Sequence, residues 1–263
     1  MTESKSESTI PVLVRREGAV GIVHLNRPQK RNVLDLAMRA AIAQAVAELE
    51  VDEVIRAIVI TGGEHVFAAG ADLNLLVDKN AQQVEDLDLG QYWAPLINSR
   101  KPLIAAVSGF ALGAGCELAM MCDIIVAQPN ARFGQPELKV GIMPGAGGTQ
   151  RLIRAVGKSV ASLMLLSGEL LTGERAWQLG LVAELTADGE VVQRAIELAR
   201  HAAAMPPKAV RAVKRILDQG PGLPLNLALA LENREFVLLF DTQDKREGMQ
   251  AFLDKRQPVY SGQ

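Results

Sequence analysis

Cys116 and Cys122 are the only cysteines in 263 residues. Six positions apart on one expected helix, they point to different faces, so they cannot bridge each other and are expected to be reduced core residues. Histidine is equally scarce: His24, His65 and His201 fall in a strand, a turn and a helix with no ligand spacing between them, so no metal site is expected. Neither sign of charge dominates. Lys+Arg 28 against Asp+Glu 30 gives a net charge of −2, which argues against a dedicated nucleic-acid or anionic-membrane surface and points to a small-molecule partner. The most apolar stretch, residues 102–127, is divided by Glu117, Asp123, Gly109, Gly113 and Gly115 into a strand, a turn and a buried helix, so no membrane span is expected. The first eight residues are polar without an apolar targeting core, so a cytoplasmic location is expected. There is no Gly-x-Ser-x-Gly elbow, no Walker A loop and no complete Gly-x-Gly-x-x-Gly after a strand, which removes the main support for hydrolase, phosphate-loop and dinucleotide readings.

Apolar residues are plentiful. At 49% hydrophobic composition and a mean hydropathy of +0.13, the chain can bury a sizeable core as one large domain, with or without an appendage. Residues 12–16 and 20–25 are short β-type runs around Glu17-Gly18. A helical pattern follows from Asp35 to residue 50, with Met38, Ile42, Ala45 and Leu49 on one face, and residues 54–61 form an apolar strand. Strand–helix–strand order implies crossovers and an α/β architecture. Residues 82–98 read as an irregular, polar helical segment, residues 103–108 as a strand, and Trp177 as a core residue of a later helix. After Val191 the pattern is helical only, broken at Pro206-Pro207 and Gly220-Pro-Gly222.

Glycines interrupt the apolar run at residues 111–126, which then carries one carboxylate, Glu117. Gly113 and Gly115 lead into a helix whose first amides, Ala114 among them, point toward a common spot. Taken alone, a first-turn Glu complements the helix dipole and a Gly-rich turn merely turns. Downstream, Glu137 again sits beside Gly and Pro in Phe133-Gly-Gln-Pro-Glu137, and two carboxylates in special backbone settings suggest paired acid–base chemistry. Upstream, Gly70 in Phe67-Ala-Ala-Gly-Ala-Asp72 permits a bend that would expose the Ala71 N–H.

These three segments, with Pro144-Gly-Ala-Gly-Gly-Thr-Gln-Arg151, closely resemble the enoyl-CoA hydratase (crotonase) family, in the expected order and over about residues 12–256. The resemblance implies a spiral of ββα units over residues 1–200 and a C-terminal helical oligomerisation region over residues 201–263. It implies hydration of a 2-enoyl-CoA by Glu117 and Glu137, with an oxyanion hole from the Ala71 and Ala114 N–H groups and a water-orienting contact at Gly145. Coenzyme A, part of the substrate rather than a separate cofactor, would meet Lys30, Ala69 and Asp72, with Phe252 and Lys255 closing over it from the same or a neighbouring subunit. A homotrimer or homohexamer is implied too, and residues 82–98 would shape the acyl pocket. The sequence departs from the family pattern at Ala114 (often Gly), Val33 (usually Ala) and Asn74 (often Lys). Competing readings are an enoyl-CoA isomerase, which usually keeps only the Glu137 equivalent, another acyl-CoA lyase or hydrolase, and RNA binding. The last would want a Lys-rich helix, whereas residues 35–50 hold only Arg39 as a base.

Overall fold

The computed structural model describes residues 10–263, so the polar stretch 1–8 lies outside the described residues. Val12–Glu17 (β1) and Val20–Leu25 (β2) pair antiparallel across a turn at Gly18, whose φ of +60° suits glycine. Leu36–Val51 (α1) follows. Asp35 caps it, accepting the Met38 N–H at 2.7 Å, and at its other end the Lys101 ammonium sits on the Leu49 and Asp52 carbonyls at 2.6 and 2.7 Å. Ala57–Thr61 (β3) then runs parallel to β2.

Residues 72–98 contain only short helices, Ala81–Glu85 (α2) and Ala94–Ile97 (α3), as their polar composition leads one to expect. Leu103–Val107 (β4) returns to the main sheet, Phe110–Leu112 (β5) leaves it, and Ala114–Met120 (α4) follows. Ile124–Ala127 (β6) and Arg132–Gly134 (β7) repeat the step. Then come Gly148–Ser167 (α5), kinked at Gly157, Leu171–Thr172 (β8), Gly173–Gln178 (α6) and Glu184–Leu185 (β9). The result is a six-stranded sheet in the order β1-β2-β3-β4-β6-β9, parallel beyond the first pair, beside a three-stranded sheet β5-β7-β8. Successive chain passes alternate between the two sheets, which produces the spiral of ββα turns.

Both faces of the large sheet are covered, which is why β3 and β4 are unbroken apolar runs. Ile58, Ile60, Leu103 and Ala105 face α1 and the site-bearing loops, in a core with the fully buried Phe67 and Phe133. Ala57, Val59, Ile104 and Ala106 face Val191–Ala203 (α7). The boundary expected after residue 200 therefore falls inside α7, whose Ala203 still belongs to this core. Pro207–Gln219 (α8), Leu225–Leu238 (α9) and Gln243–Leu253 (α10) complete the chain. The Lys214 ammonium, on α8, ties this region to the sheet by bonding Asp123 Oδ2 at 2.7 Å and the Lys101 carbonyl at 3.0 Å.

Two expectations need correction. Trp177 is 49% exposed rather than core: α6 buries Ala176 and leaves the indole on its outer side. Of the cysteines, Cys116 is buried but Cys122 is only partly so, and both are free thiols. Among the described residues no helix is long and apolar enough to cross a membrane.

Candidate active site

Loops leaving the large sheet converge beside β5. Asn32, at φ +50°, is fully buried and accepts the Arg27 N–H at 2.9 Å while donating to the Val66 and Phe67 carbonyls at 3.1 and 3.0 Å. It locks residues 26–35 against residues 66–71. Ala68 bridges Ala111 and Leu34 bridges Ala71, so the stretch around Ala71 runs alongside β5 and the start of α4. Gly70 turns at φ +112°, and a Cβ there would press on the Leu112 carbonyl at 3.2 Å. At Gly115 a Cβ would lie 2.1 Å from the Ala68 carbonyl, so only glycine lets the two segments approach this closely. Gly113 adopts φ +51°, ψ −125°, and hands the chain to Ala114 at the first helical position. Among the described residues neither the Ala71 nor the Ala114 N–H donates to a protein acceptor.

Glu117 is 2% exposed. Its Oε1 accepts two backbone N–H groups, from Ala146 and Gly148, each at 2.7 Å. Arg151 donates to the Ala146 carbonyl at 2.7 Å and so braces the same loop. Burial raises the Glu117 pKa, while the Gly148 and Ala146 amides, with Arg39 and Arg151 nearby, pull it back.

Glu137 opens the 3-10 turn Glu137–Val140 after β7. Its carboxylate lies over Gly113, where a Cβ would stand 2.9 Å from Oε1. Gln135, fully buried, points its amide nitrogen at this carboxylate, 2.9 Å from Oε1 and 3.2 Å from Oε2, the orientation that avoids opposing oxygen to oxygen. Burial, opposed by its own backbone N–H and reinforced by the Glu117 charge, pushes the Glu137 pKa up to about 7. Burial pushes the neighbouring Cys116 thiol up to about 12, leaving it neutral. The site thus presents one carboxylate fixed by amide donors, a second whose pKa is raised toward neutrality, and two free amides beside them.

The expected site residues divide into two sets. Glu117, Glu137, Ala71 and Ala114 are gathered around the β5–α4 junction. Gly145 belongs to the loop over Glu117 but is exposed, and the amides that reach Glu117 are those of Ala146 and Gly148. Ala69 donates to the Arg31 carbonyl at 3.0 Å, which places it beside exposed Lys30. Asp72 is half-buried and accepts the backbone and side-chain N–H groups of exposed Asn74 at 3.0 and 2.9 Å. Phe252, 84% exposed on α10, and Lys255, at φ +56°, make no hydrogen bond or ion pair with Lys30, Ala69 or Asp72 among the described residues. Gln135 and the Ala146 and Gly148 amides escape a reading from sequence, because residue type alone does not reveal which amide a loop turns inward.

The enoyl-CoA hydratase/isomerase family model matches residues 15–263. The 2,3-dehydroadipyl-CoA hydratase of Escherichia coli (strain K12) is 47% identical over 251 residues, covering 95% of this chain and 98% of that protein. A probable mitochondrial enoyl-CoA hydratase of Dictyostelium discoideum is 43% identical, covering 93% and 88%. Among solved structures, an enoyl-CoA hydratase subunit I from Geobacillus kaustophilus HTA426 superposes with a TM-score of 0.93 at 40% identity, over 97% of this chain and 99% of that one. With that similarity along nearly its whole length, and with two glutamates beside two free amides, the chain belongs to the enoyl-CoA hydratase/isomerase family.

Proposed function

We propose that the protein adds water across the 2,3 double bond of a 2-enoyl-CoA thioester to give the 3-hydroxyacyl-CoA. In this reading the thioester oxygen receives the Ala71 and Ala114 N–H groups, which stabilise the enolate charge as it develops. Glu117, kept in place and toward its ionised form by the Ala146 and Gly148 amides, accepts a proton from water as the hydroxyl adds to C3. Glu137, protonated near neutral pH, delivers a proton to C2. The observation that carries the reading is the unequal treatment of the two carboxylates: Glu117 is buried and held by two backbone amides, whereas Glu137 is half-buried and meets the Gln135 side-chain amide.

Coenzyme A would lie against Lys30, Ala69 and Asp72. Phe252 and Lys255 would close over it from the same or a neighbouring subunit. Leu225, Leu227, Leu229 and Phe236 on α9 are each more than half exposed, an apolar surface that an assembled homotrimer or pair of trimers would cover. A cytoplasmic setting accords with the substrate.

Glu117→Gln and Glu137→Gln are each expected to lower hydration of crotonyl-CoA, followed by loss of enoyl absorbance, by at least about 10²-fold with the fold intact. If either variant keeps wild-type turnover, the two-carboxylate mechanism is wrong. If Glu137→Gln alone is inactive, isomerisation is the better reading.

A further inference from the structure

Arg31 and Asn32 are consecutive non-glycine residues in the left-handed region, at φ +52° and +50°. Asparagine tolerates that conformation, but arginine ordinarily avoids it, so the surroundings must hold the pair there. Residues kept in such backbone settings cluster at functional sites. The Asn32 side chain supplies the hold. It is fully buried, its Oδ1 accepts the Arg27 N–H at 2.9 Å, and its Nδ2 donates to the Val66 and Phe67 carbonyls at 3.1 and 3.0 Å, with the Gly62 carbonyl more distant at 3.4 Å. The turn closes tightly on this amide: a Cβ at Gly62 would lie 2.1 and 2.4 Å from the Val66 and Phe67 carbonyl oxygens.

The main chain extends the same seam toward the site. Ala69 donates to the Arg31 carbonyl at 3.0 Å, and Leu34 donates to the Gly70 carbonyl at 2.8 Å. On the other flank Ala68 donates to the Phe110 carbonyl at 2.9 Å and accepts the Leu112 N–H at 3.0 Å. Residues 66–70 are thus bonded to residues 31–34 on one side and to β5 on the other. The next residue, Ala71, has an N–H with no protein acceptor among the described residues. These further bonds run main chain to main chain, so Asn32 is the place where residue type decides how the turn sits.

We propose that Asn32 is a positioning residue of the oxyanion hole: through the Val66 and Phe67 carbonyls its carboxamide fixes the turn that aims the Ala71 N–H, and so sets how strongly the thioester carbonyl is polarised. This assignment rests on the hydratase reading, in which the Ala71 and Ala114 amides receive the thioester oxygen. It separates Asn32 from the proton-transfer machinery, since among the described residues no hydrogen bond joins it to Glu117 or Glu137.

The test reads carbonyl polarisation directly. A cinnamoyl-CoA with a para-dimethylamino group absorbs at longer wavelength when its thioester carbonyl is polarised, without any proton being transferred. The wild type is expected to shift the bound chromophore to the red and to hydrate crotonyl-CoA. Asn32→Asp keeps the side-chain shape but offers at most one O–H donor in place of two N–H donors, and Asn32→Ser shortens the side chain out of reach of the carbonyls. Both variants are expected to lose most of the red shift. Their kcat for crotonyl-CoA should fall by at least about tenfold, short of the roughly 10²–10³ that accompanies outright loss of an oxyanion donor, with a much smaller change in KM. A folded variant that keeps the wild-type red shift overturns the proposal whether or not its Tm falls, because Asn32 would then be structural alone. Failure of both variants to fold overturns it in the same way. A wild type that neither shifts the chromophore nor hydrates crotonyl-CoA removes the hydratase reading and this one together, whereas a wild type that does both, beside Asn32 variants that match it, removes the Asn32 assignment alone.

Discussion

Gly148→Ala tests the amide clamp on Glu117 through one methyl group. Gly148 has ordinary helical backbone angles, so alanine is not excluded by φ. The obstacle is space: a Cβ at this position would stand 2.9 Å from Glu117 Oε1, 2.7 Å from the Gln135 amide and 2.9 Å from Pro144 Cβ, where ordinary contact begins at 3.4 Å. Relief requires shifts of about 0.5 Å at Glu117 and about 0.7 Å at Gln135, the differences between those distances. Gln135 is the donor to Glu137, so both carboxylates move. Misplacement of reacting groups approaching an ångström costs on the order of 10² in rate, and we expect kcat for crotonyl-CoA to fall by about that factor with a smaller change in KM. Backbone stiffening by alanine offsets part of the packing strain, so thermal unfolding should change little. Gly145→Ala is the control, because its Cβ meets nothing within 4 Å; activity within about threefold of wild type is expected, as for an exposed substitution. A folded Gly148→Ala enzyme with wild-type kcat would refute the clamp.

Three further outcomes follow from the geometry. Ala114→Pro removes one amide donor at a first helical position that tolerates proline, so hydration should drop by roughly 10²–10³ while Ala114→Gly stays active; equal rates for the two, with circular dichroism unchanged, would place the anion-stabilising group elsewhere. Glu137 has a folded pKa of about 7 against an ordinary 4.5, so the folded state binds the proton more tightly. Its contribution to stability is complete below pH 4.5 and is lost as pH rises through about 7. Glu137→Gln should therefore lose less Tm than wild type across that interval, and superimposable pH profiles would count against the raised value. Finally, sedimentation should give a mass several times 28.2 kDa, and replacing Leu225 and Phe236 with Glu should reduce it to one chain; a monomeric wild type would contradict the assembly.

The parts of the fold that a sequence exposes are those with a short-range cause. Asp35 before an apolar periodic stretch marked the start of α1, and the unbroken apolar runs at β3 and β4 marked strands buried on both faces. Glu117 and Glu137 were legible because glycines and prolines announce unusual backbone around them. Trp177 misled because an aromatic residue at helical spacing does not reveal which face of the helix the sheet will cover. The amides of Ala146 and Gly148 were hidden for another reason: every residue except proline carries an N–H, and only the path of the loop decides which ones meet a carboxylate. Arg39 stood out only as the lone base of an apolar periodic helix, and its burial against Trp93 depends on a contact across more than fifty residues of sequence.

The bridge between Ala68 and Ala111 also bears on how this protein can change. Residues 72–98 leave the site just after the hydrogen-bonded stretch at Ala71 and rejoin the large sheet at β4, where Ile58 pairs with Leu103. Both ends of this excursion are pinned by main-chain bonds, and its tip at residues 77–80 is exposed. Lengthening a flexible loop costs only about 0.6 kcal/mol per doubling, so residues can be added or removed at that tip while the oxyanion loop and both glutamates keep their positions. The excursion is a replaceable cassette, free to change in length and composition without moving the segments it springs from.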